Sequence, residues 1–255
     1  LREDEAGDEV GGYVLGCELS RGSFSTVREA YHIEETKVKI GPVVVKIVRK
    51  HNIESAEEAM RRELMIWRRL GHPHVLPLLD SFESPMALYA VSPRCTKGNL
   101  LQLLNRMCGD PQGAGGLPFA TLKRIALQLC SAVRYLHYDA AVAHGDLKLE
   151  NALLDADENV RLIDFGLSRE LFNGGRSSHN QEAGASARGC GSCTAAGSLP
   201  YCAPELLRGG LPDRPADCWA LGVMLYACLV GRLPFQDAYE PRLVYKIVNA
   251  QYELP

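Results

Sequence analysis

No run of about 18 apolar residues occurs anywhere in the 255-residue chain, which argues against a membrane-spanning helix. An excess of either sign of charge is also lacking. The formal net charge is -3, so no global basic field points to nucleic acid or to a membrane surface. The opening residues, LREDEAGDE, are acidic and polar and lack the apolar stretch of a signal peptide. Residues 1–11 are expected to be a disordered acidic leader, and a chain that starts with Leu reads as a fragment. Cysteine is present without a framework: nine residues, at 17, 95, 108, 130, 190, 193, 202, 218 and 228, show no disulfide spacing. The odd count argues for a reducing compartment, so an intracellular location, cytoplasmic or nuclear, is expected. Most of these cysteines sit in apolar runs, where the side chain behaves as a small hydrophobe. Cys190 and Cys193 form a CxxC, but one such pair cannot complete a tetrahedral zinc site. Redox pairing stays open there, and chance in a Gly/Ser/Cys tract is the plainer reading.

What is present is the composition of an ordinary globular protein, 46% hydrophobic and 23% charged, long enough for one large domain or two small ones. One stretch organises it. His144 to Asn151 reads HGDLKLEN, with Asp164, Phe165 and Gly166 behind it. Asp146 is a carboxylate suited to orient a hydroxyl and accept its proton. Lys148 adds a positive charge. Asn151 offers a neutral oxygen and Asp164 a carboxylate, both hard donors that suit magnesium. Between them, Ala152 to Leu154 and Val160 to Ile163 are apolar runs split by the polar stretch Asp155 to Asn159, which signals a hairpin. A hairpin would bring Asn151 and Asp164 to one edge.

The stretch resembles the catalytic loop and DFG segment of eukaryotic protein kinases, and Lys148 resembles the serine/threonine branch. Phosphoryl transfer asks a protein mainly for positioning and charge stabilisation, which these residue types supply. The resemblance implies that Asp146 and Lys148 are catalytic, and that Asn151 and Asp164 hold Mg²⁺ against ATP.

Other stretches fall in the order the resemblance requires. Tyr13 to Leu19 and Val27 to Tyr31 read as strands around SRGSFSTV. That turn resembles the kinase glycine-rich loop, implying nucleotide contact by Leu19, Ser20, Arg21, Gly22, Ser23, Phe24, Ser25, Thr26 and Val27. Only Gly22 of the family's three glycines remains; Ser20 and Ser25 carry a Cβ and disfavour positive φ. Alone, the stretch would read as a plain Gly/Ser hairpin. Val43 to Val48 is a β-branched run, hence a strand. Lys46 within it would alone read as a snorkelling edge lysine; the resemblance makes it the ligand of the α- and β-phosphates. Ile53 to Leu70 has helical spacing, with Ser55 and Glu58 suited to a capping box. Glu63 on it is by residue type a solvated glutamate, and by resemblance the partner of Lys46. Ala87 to Val91 is another strand, leading into a hinge. There Ser92 takes the gatekeeper position, and Pro93 and Cys95 lie on the adenine-contacting edge.

Leu100 to Met107 starts a helix, Cys108 to Pro118 is a Gly/Pro-rich loop, and Phe119 to Tyr138 is a long amphipathic helix. In the catalytic loop, Gly145 replaces the family's Arg, which removes the main cation through which phosphorylation of the activation segment would act. Residues 173–197, between DFG and Ala203-Pro204-Glu205, are too poor in apolar residues to order alone. Thr194 is there a candidate regulatory phosphosite, with an upstream activating kinase as the implied partner. Ser198 is expected to contact the catalytic loop. Asp217 opens an apolar helix and is expected to hold the backbone of the catalytic loop; by residue type alone it would be an N-cap. Residues 241–250 suggest one more helix. The family's later helices are missing, so the chain reads as truncated at its C-terminus.

The fold expected is therefore α+β: a small antiparallel-sheet lobe with one helix (about 12–91), a hinge (about 92–98) and a larger mainly helical lobe (about 99–255), with ATP between the lobes. The expected function is an ATP-dependent serine/threonine protein kinase acting on protein Ser/Thr hydroxyls. GSLPYCAPELL and DCWALGVMLYACLVGRLPF look most like the calcium/calmodulin-dependent and AMP-activated kinase group. A pseudokinase scaffold is the alternative, supported by the serine-substituted loop and Gly145. Against it, Lys46, Glu63, Asp146, Lys148, Asn151 and Asp164 are all retained. A small-molecule kinase is disfavoured by GSLPY and the Ala203-Pro204-Glu205 segment, which belong to peptide docking in the family.

Overall fold

The structure is a computed structural model that describes residues 5–22, 24–33, 39–50, 54–108, 115–171 and 198–254. Thr194 and the Cys190/Cys193 pair lie outside the described residues. The chain forms two compact units, Leu1–Thr96 and Lys97–Pro255.

The first unit is a six-stranded antiparallel sheet in the order β1-β2-β3-β4-β6-β5, with one helix. Its strands are β1 (Glu9–Val10), β2 (Tyr13–Arg21), β3 (Ser25–Ile33), β4 (Lys39–Arg49), β5 (Asp80–Glu83) and β6 (Ala87–Pro93). Where a disordered leader was expected, Glu9 and Val10 pair with Val14 and Tyr13. Gly11 and Gly12, at φ +55° and +81°, make the reversal that a side chain would resist. The β-branched run of β4 occupies the middle of the sheet, where Val45 and Ile47 are buried. They pack with Leu15, Ala30, Tyr89 and Val91. Phe82 stacks on Tyr89 with ring centroids 4.8 Å apart. Helix α1 (Glu54–Trp67) turns Met60, Glu63, Leu64 and Trp67 inward, the i, i+3, i+4, i+7 spacing of one helical face. Ser55 falls inside this helix, so it is not the capping residue expected.

The second unit is mainly helical: α2 (Leu100–Cys108), α3 (Phe119–Arg134), α4 (Pro204–Leu207), α5 (Arg214–Val230) and α6 (Glu240–Val248). Two small strand pairs accompany them. One is the expected hairpin, β8 (Ala152–Leu154) against β9 (Val160–Leu162). The other, β7 (Val142–Ala143) against β10 (Arg169–Glu170), was not expected, because two-residue strands carry no periodicity. The helix expected to run to Tyr138 is α-helical only to Arg134. Residues Tyr135–Asp139 form a π-turn, closed by the Ala140 N–H donating to the Tyr135 carbonyl at 2.9 Å.

Helix α5 is capped by Asp213, whose Oδ1 accepts from the Arg214 N–H at 2.7 Å, and it ends at Gly231 with φ +86°. Asp217 is therefore not an N-cap but sits inside the first turn. Cys228 on α5 is fully buried, as a small hydrophobe would be. Cys17, Cys130 and Cys218 are free and exposed, and Cys202 is disulfide-bonded although the cysteines show no framework spacing in the sequence.

The end of α5 is closed by the backbone of another segment. Gly116 N–H donates to Leu229 O at 3.1 Å and Leu117 N–H to Cys228 O at 2.7 Å, satisfying carbonyls that a helix end leaves open. A Cβ on Gly116 would strike the Cys228 and Leu229 carbonyls, which are backbone and cannot step aside. Gly116→Ala is expected to cost about 2 kcal/mol or more of stability, read as a lowered urea midpoint with an unchanged slope. A midpoint within error of wild type would contradict this contact.

Candidate active site

The residues singled out in the catalytic loop converge on Asp146. Its Oδ2 accepts from Lys148 Nζ at 2.6 Å and from Asn151 Nδ2 at 2.9 Å. Its Oδ1 accepts from the Ser198 hydroxyl at 3.1 Å, and that hydroxyl oxygen also accepts from Lys148 Nζ at 3.0 Å. Asn151 Nδ2 donates as well to the Asp146 carbonyl at 2.8 Å. Charge-assisted bonds of this kind hold the carboxylate in one orientation. Ser198 makes the contact with the catalytic loop that was expected of it.

The loop is placed from beneath by α5. Asp217, only 2% exposed, accepts the His144 N–H at 2.7 Å and the Gly145 N–H at 2.9 Å, and meets His137 Nε2 at 2.8 Å. His144 adds a second fixing point. Its Nδ1 accepts from the Asp146 N–H at 3.2 Å, which leaves Nε2–H to donate to Ile163 O at 3.1 Å. Gly145 has φ +79°, and a Cβ there would lie 2.6 Å from Leu167 O. Glycine suits that backbone, so a larger residue in its place would be strained.

The hairpin joins the two expected metal ligands. The Ile163 N–H donates to Asn151 O at 3.0 Å, closing β8 and β9 so that Asn151 and Asp164 flank the same end. Asp164 has φ +68°, and the Gly166 N–H points at its Oδ1 at 3.4 Å. Phe165 is buried against His144, with centroids 5.2 Å apart. Because Asn151 spends its Nδ2 on Asp146, its carbonyl oxygen is the atom left to meet a cation. With the Asp164 carboxylate, this is a donor set of hard oxygens that fits Mg²⁺. Near by, burial and the Glu150 carboxylate push the Tyr201 phenol well above its ordinary range, so it stays neutral.

In the first unit, Lys46 and Glu63 form the pair that was expected. Lys46 Nζ lies 2.8 Å from Oε1 and 2.7 Å from Oε2 of Glu63, whose side chain is 5% exposed. The solvated-glutamate reading of Glu63 is thereby set aside. Lys46 is aligned between Val27 on β3 and Ala90 on β6. In the glycine-rich stretch, Ser20 pairs with Val27 and Arg21 with Thr26, and the Gly22 N–H closes the turn on Ser25 O at 2.8 Å. Leu19 and Phe24 are exposed. Neither Ser20 nor Ser25 has positive φ, so their Cβ atoms meet no backbone objection; Ser23 is outside the described residues. Arg21 is bound by Glu18 at 3.0 and 2.6 Å. Ser92 is buried and Cys95 half-buried, with Pro93 paired to Val43 at the end of β6. The Glu29–Arg94 ion pair beside them had no signal in the sequence, since its partners are far apart along the chain.

The protein kinase domain family matches residues 13–254. The chain is 36% identical over 246 residues to a serine/threonine protein kinase, OSK3, of Oryza sativa, covering 95% of this chain and 43% of the relative. It is 34% identical over 248 residues to a probable myosin light chain kinase of Dictyostelium discoideum, covering 95% and 63%. It is 33% identical over 245 residues to the SNF1-related protein kinase catalytic subunit alpha KIN12 of Arabidopsis thaliana, covering 95% and 44%. The chain thus spans less than two thirds of the length of these relatives. The last of them is consistent with the AMP-activated kinase group that the sequence resembles. With the motifs in order, a mixed α+β architecture and this match over nearly its whole length, the chain belongs to the protein kinase domain family.

Proposed function

We propose that this chain catalyses transfer of the γ-phosphoryl group of ATP to serine or threonine hydroxyls of a protein. The observation that carries the reading is the set of bonds on Asp146, from Lys148, Asn151 and Ser198. A carboxylate held from three sides can orient an incoming hydroxyl and take its proton as the phosphoryl group leaves ADP. Lys148 then faces the charge that develops on the transferring group. Asn151 and Asp164 would hold Mg²⁺, which as a bound cation neutralises charge on the phosphates. Lys46 would bind the α- and β-phosphates, with Glu63 fixing its position by the two short contacts above. Leu19 to Val27 would cover the nucleotide, and Pro93 and Cys95 would border the adenine.

Protein kinases act on proteins, and no helix among the described residues is long and apolar enough to cross a membrane. Regulation through Thr194 by an upstream kinase, and an intracellular site of action, are parts of the same proposal. They rest on sequence position and composition.

The test is transfer of radiolabelled phosphate from Mg-ATP to the protein itself and to a mixed Ser/Thr peptide library. Wild type is expected to incorporate label, and Asp146→Asn to lower kcat by about 10²- to 10⁴-fold with Mg-ATP binding retained. Folded wild-type protein that neither binds Mg-ATP nor transfers phosphate would leave only the scaffold alternative. Glu63→Gln removes the charge that fixes Lys46. It is expected to lower kcat/KM for ATP by about tenfold or more at an unchanged melting temperature. An unaltered kcat/KM would show that the pair is structural.

A further inference from the structure

The π-turn is a part of the second unit that neither the motifs nor the proposed reaction uses. It holds one residue more than an α-helical turn would, and such turns mark places where a helix has been reshaped. Two residues past its end at Asp139 lies Ala141, a non-glycine residue at φ +53°, where the chain leaves the helix for β7 and the catalytic loop. A helix end leaves carbonyls for other donors. The His137 carbonyl is taken by Arg214, whose Nη2 donates to it at 3.0 Å. The same guanidinium lies over the Tyr138 ring, 5.1 Å from its centroid.

Arg214 is the first residue of α5, and its own N–H is held by Asp213. Asp217, in the same turn, holds the His137 ring and the N–H groups of His144 and Gly145. The first turn of α5 therefore grips this segment twice, at the π-turn through Arg214 and at the loop through Asp217.

We propose that Arg214 is a positioning residue for Asp146: by holding the π-turn at His137 and Tyr138, it fixes where the catalytic loop begins. This rests on the kinase reading of Asp146. It assigns to Arg214 a role in kcat and not in nucleotide binding, because its contacts lie on the segment that leads to Asp146.

The experiment pairs steady-state kinetics with amide hydrogen exchange on the full chain, in wild type, Arg214→Ala and Arg214→Lys. In Arg214→Ala, exchange in residues 142–147 is expected to quicken about tenfold while residues 220–228 of α5 stay as in wild type. With a peptide taken from the library, kcat is expected to fall about tenfold and KM for ATP to stay within about twofold. Arg214→Lys keeps a donor for the carbonyl and is expected to recover most of kcat. If Arg214→Ala is insoluble, Tyr138→Ala, at an exposed residue, removes the stacking alone and carries the same readouts with smaller changes. An unchanged kcat, or exchange that is unchanged at 142–147 or quickened equally in both segments, overturns the proposal. Wild type that transfers no phosphate would instead sink the kinase reading, and the exchange measurement would still decide the role of Arg214.

Discussion

Asp217 is a carboxylate with almost no access to water, and a buried carboxylate must have its oxygens satisfied or be expelled. Its partners are the His137 ring and two backbone N–H groups, those of His144 and Gly145. Backbone donors cannot change rotamer, so satisfying Asp217 dictates the path of the chain just before Asp146. The geometry of the proposed chemistry follows from that path. His144, once placed, accepts from the Asp146 N–H and donates to Ile163 O, which ties the loop to the hairpin that leads to Asp164. Gly145 takes a left-handed backbone beside the two N–H contacts, and Leu167 O closes the space a side chain would need. Breaking the network by removing one partner would leave a buried charge uncompensated, which is far more costly than the net worth of any one bond.

Around Asp146 the electrostatics balance within a few ångströms. Lys148 stands against the carboxylate, and Ser198 bridges the two. Ser198 belongs to the segment that runs into Ala203, Pro204 and Glu205, and Cys202, Ala203 and Leu206 pack with Ala216 of α5. One helix thus supports both the loop that carries Asp146 and the segment that carries Ser198. Lys46 and Glu63 form a comparable unit of their own on β4 and α1, with the carboxylate on the inward face of its helix. That burial distinguishes Glu63 from Glu57 and Glu58 on α1.

Much of this was legible in the sequence, because the chemistry is carried by short motifs. HGDLKLEN places Asp146, Lys148 and Asn151 within one loop, and the two short apolar runs that follow, split by a polar stretch, read directly as β8 and β9. Lys46 and Glu63 were legible only through register to the motifs around them, since a lysine in a strand and a glutamate on a helix are ordinary by themselves. The π-turn was not legible. Ile125, Leu129, Ala132, Val133 and Leu136 continue a helical spacing across its start, and a widened turn changes hydrogen bonds before it changes the apolar pattern. The expected hold of Asp217 on the loop backbone is present, but the cap of α5 was not legible by residue type: Asp213 and Asp217 are equally acceptable N-caps, and only the structure shows that Asp213 is outside the helix. The strand at Glu9 and Val10 was hidden by an acidic leader and exists because a Gly-Gly reversal folds it onto β2.

The most direct test of this account is residue-resolved amide exchange at His144 and Gly145 in the wild-type protein. If Asp217 holds the loop as described, both N–H groups should be protected as strongly as the core amides of α5, exchanging only when the second unit unfolds. Exchange at the rate of an unprotected amide would show that the carboxylate does not hold them, and the placement of Asp146 would then need another cause.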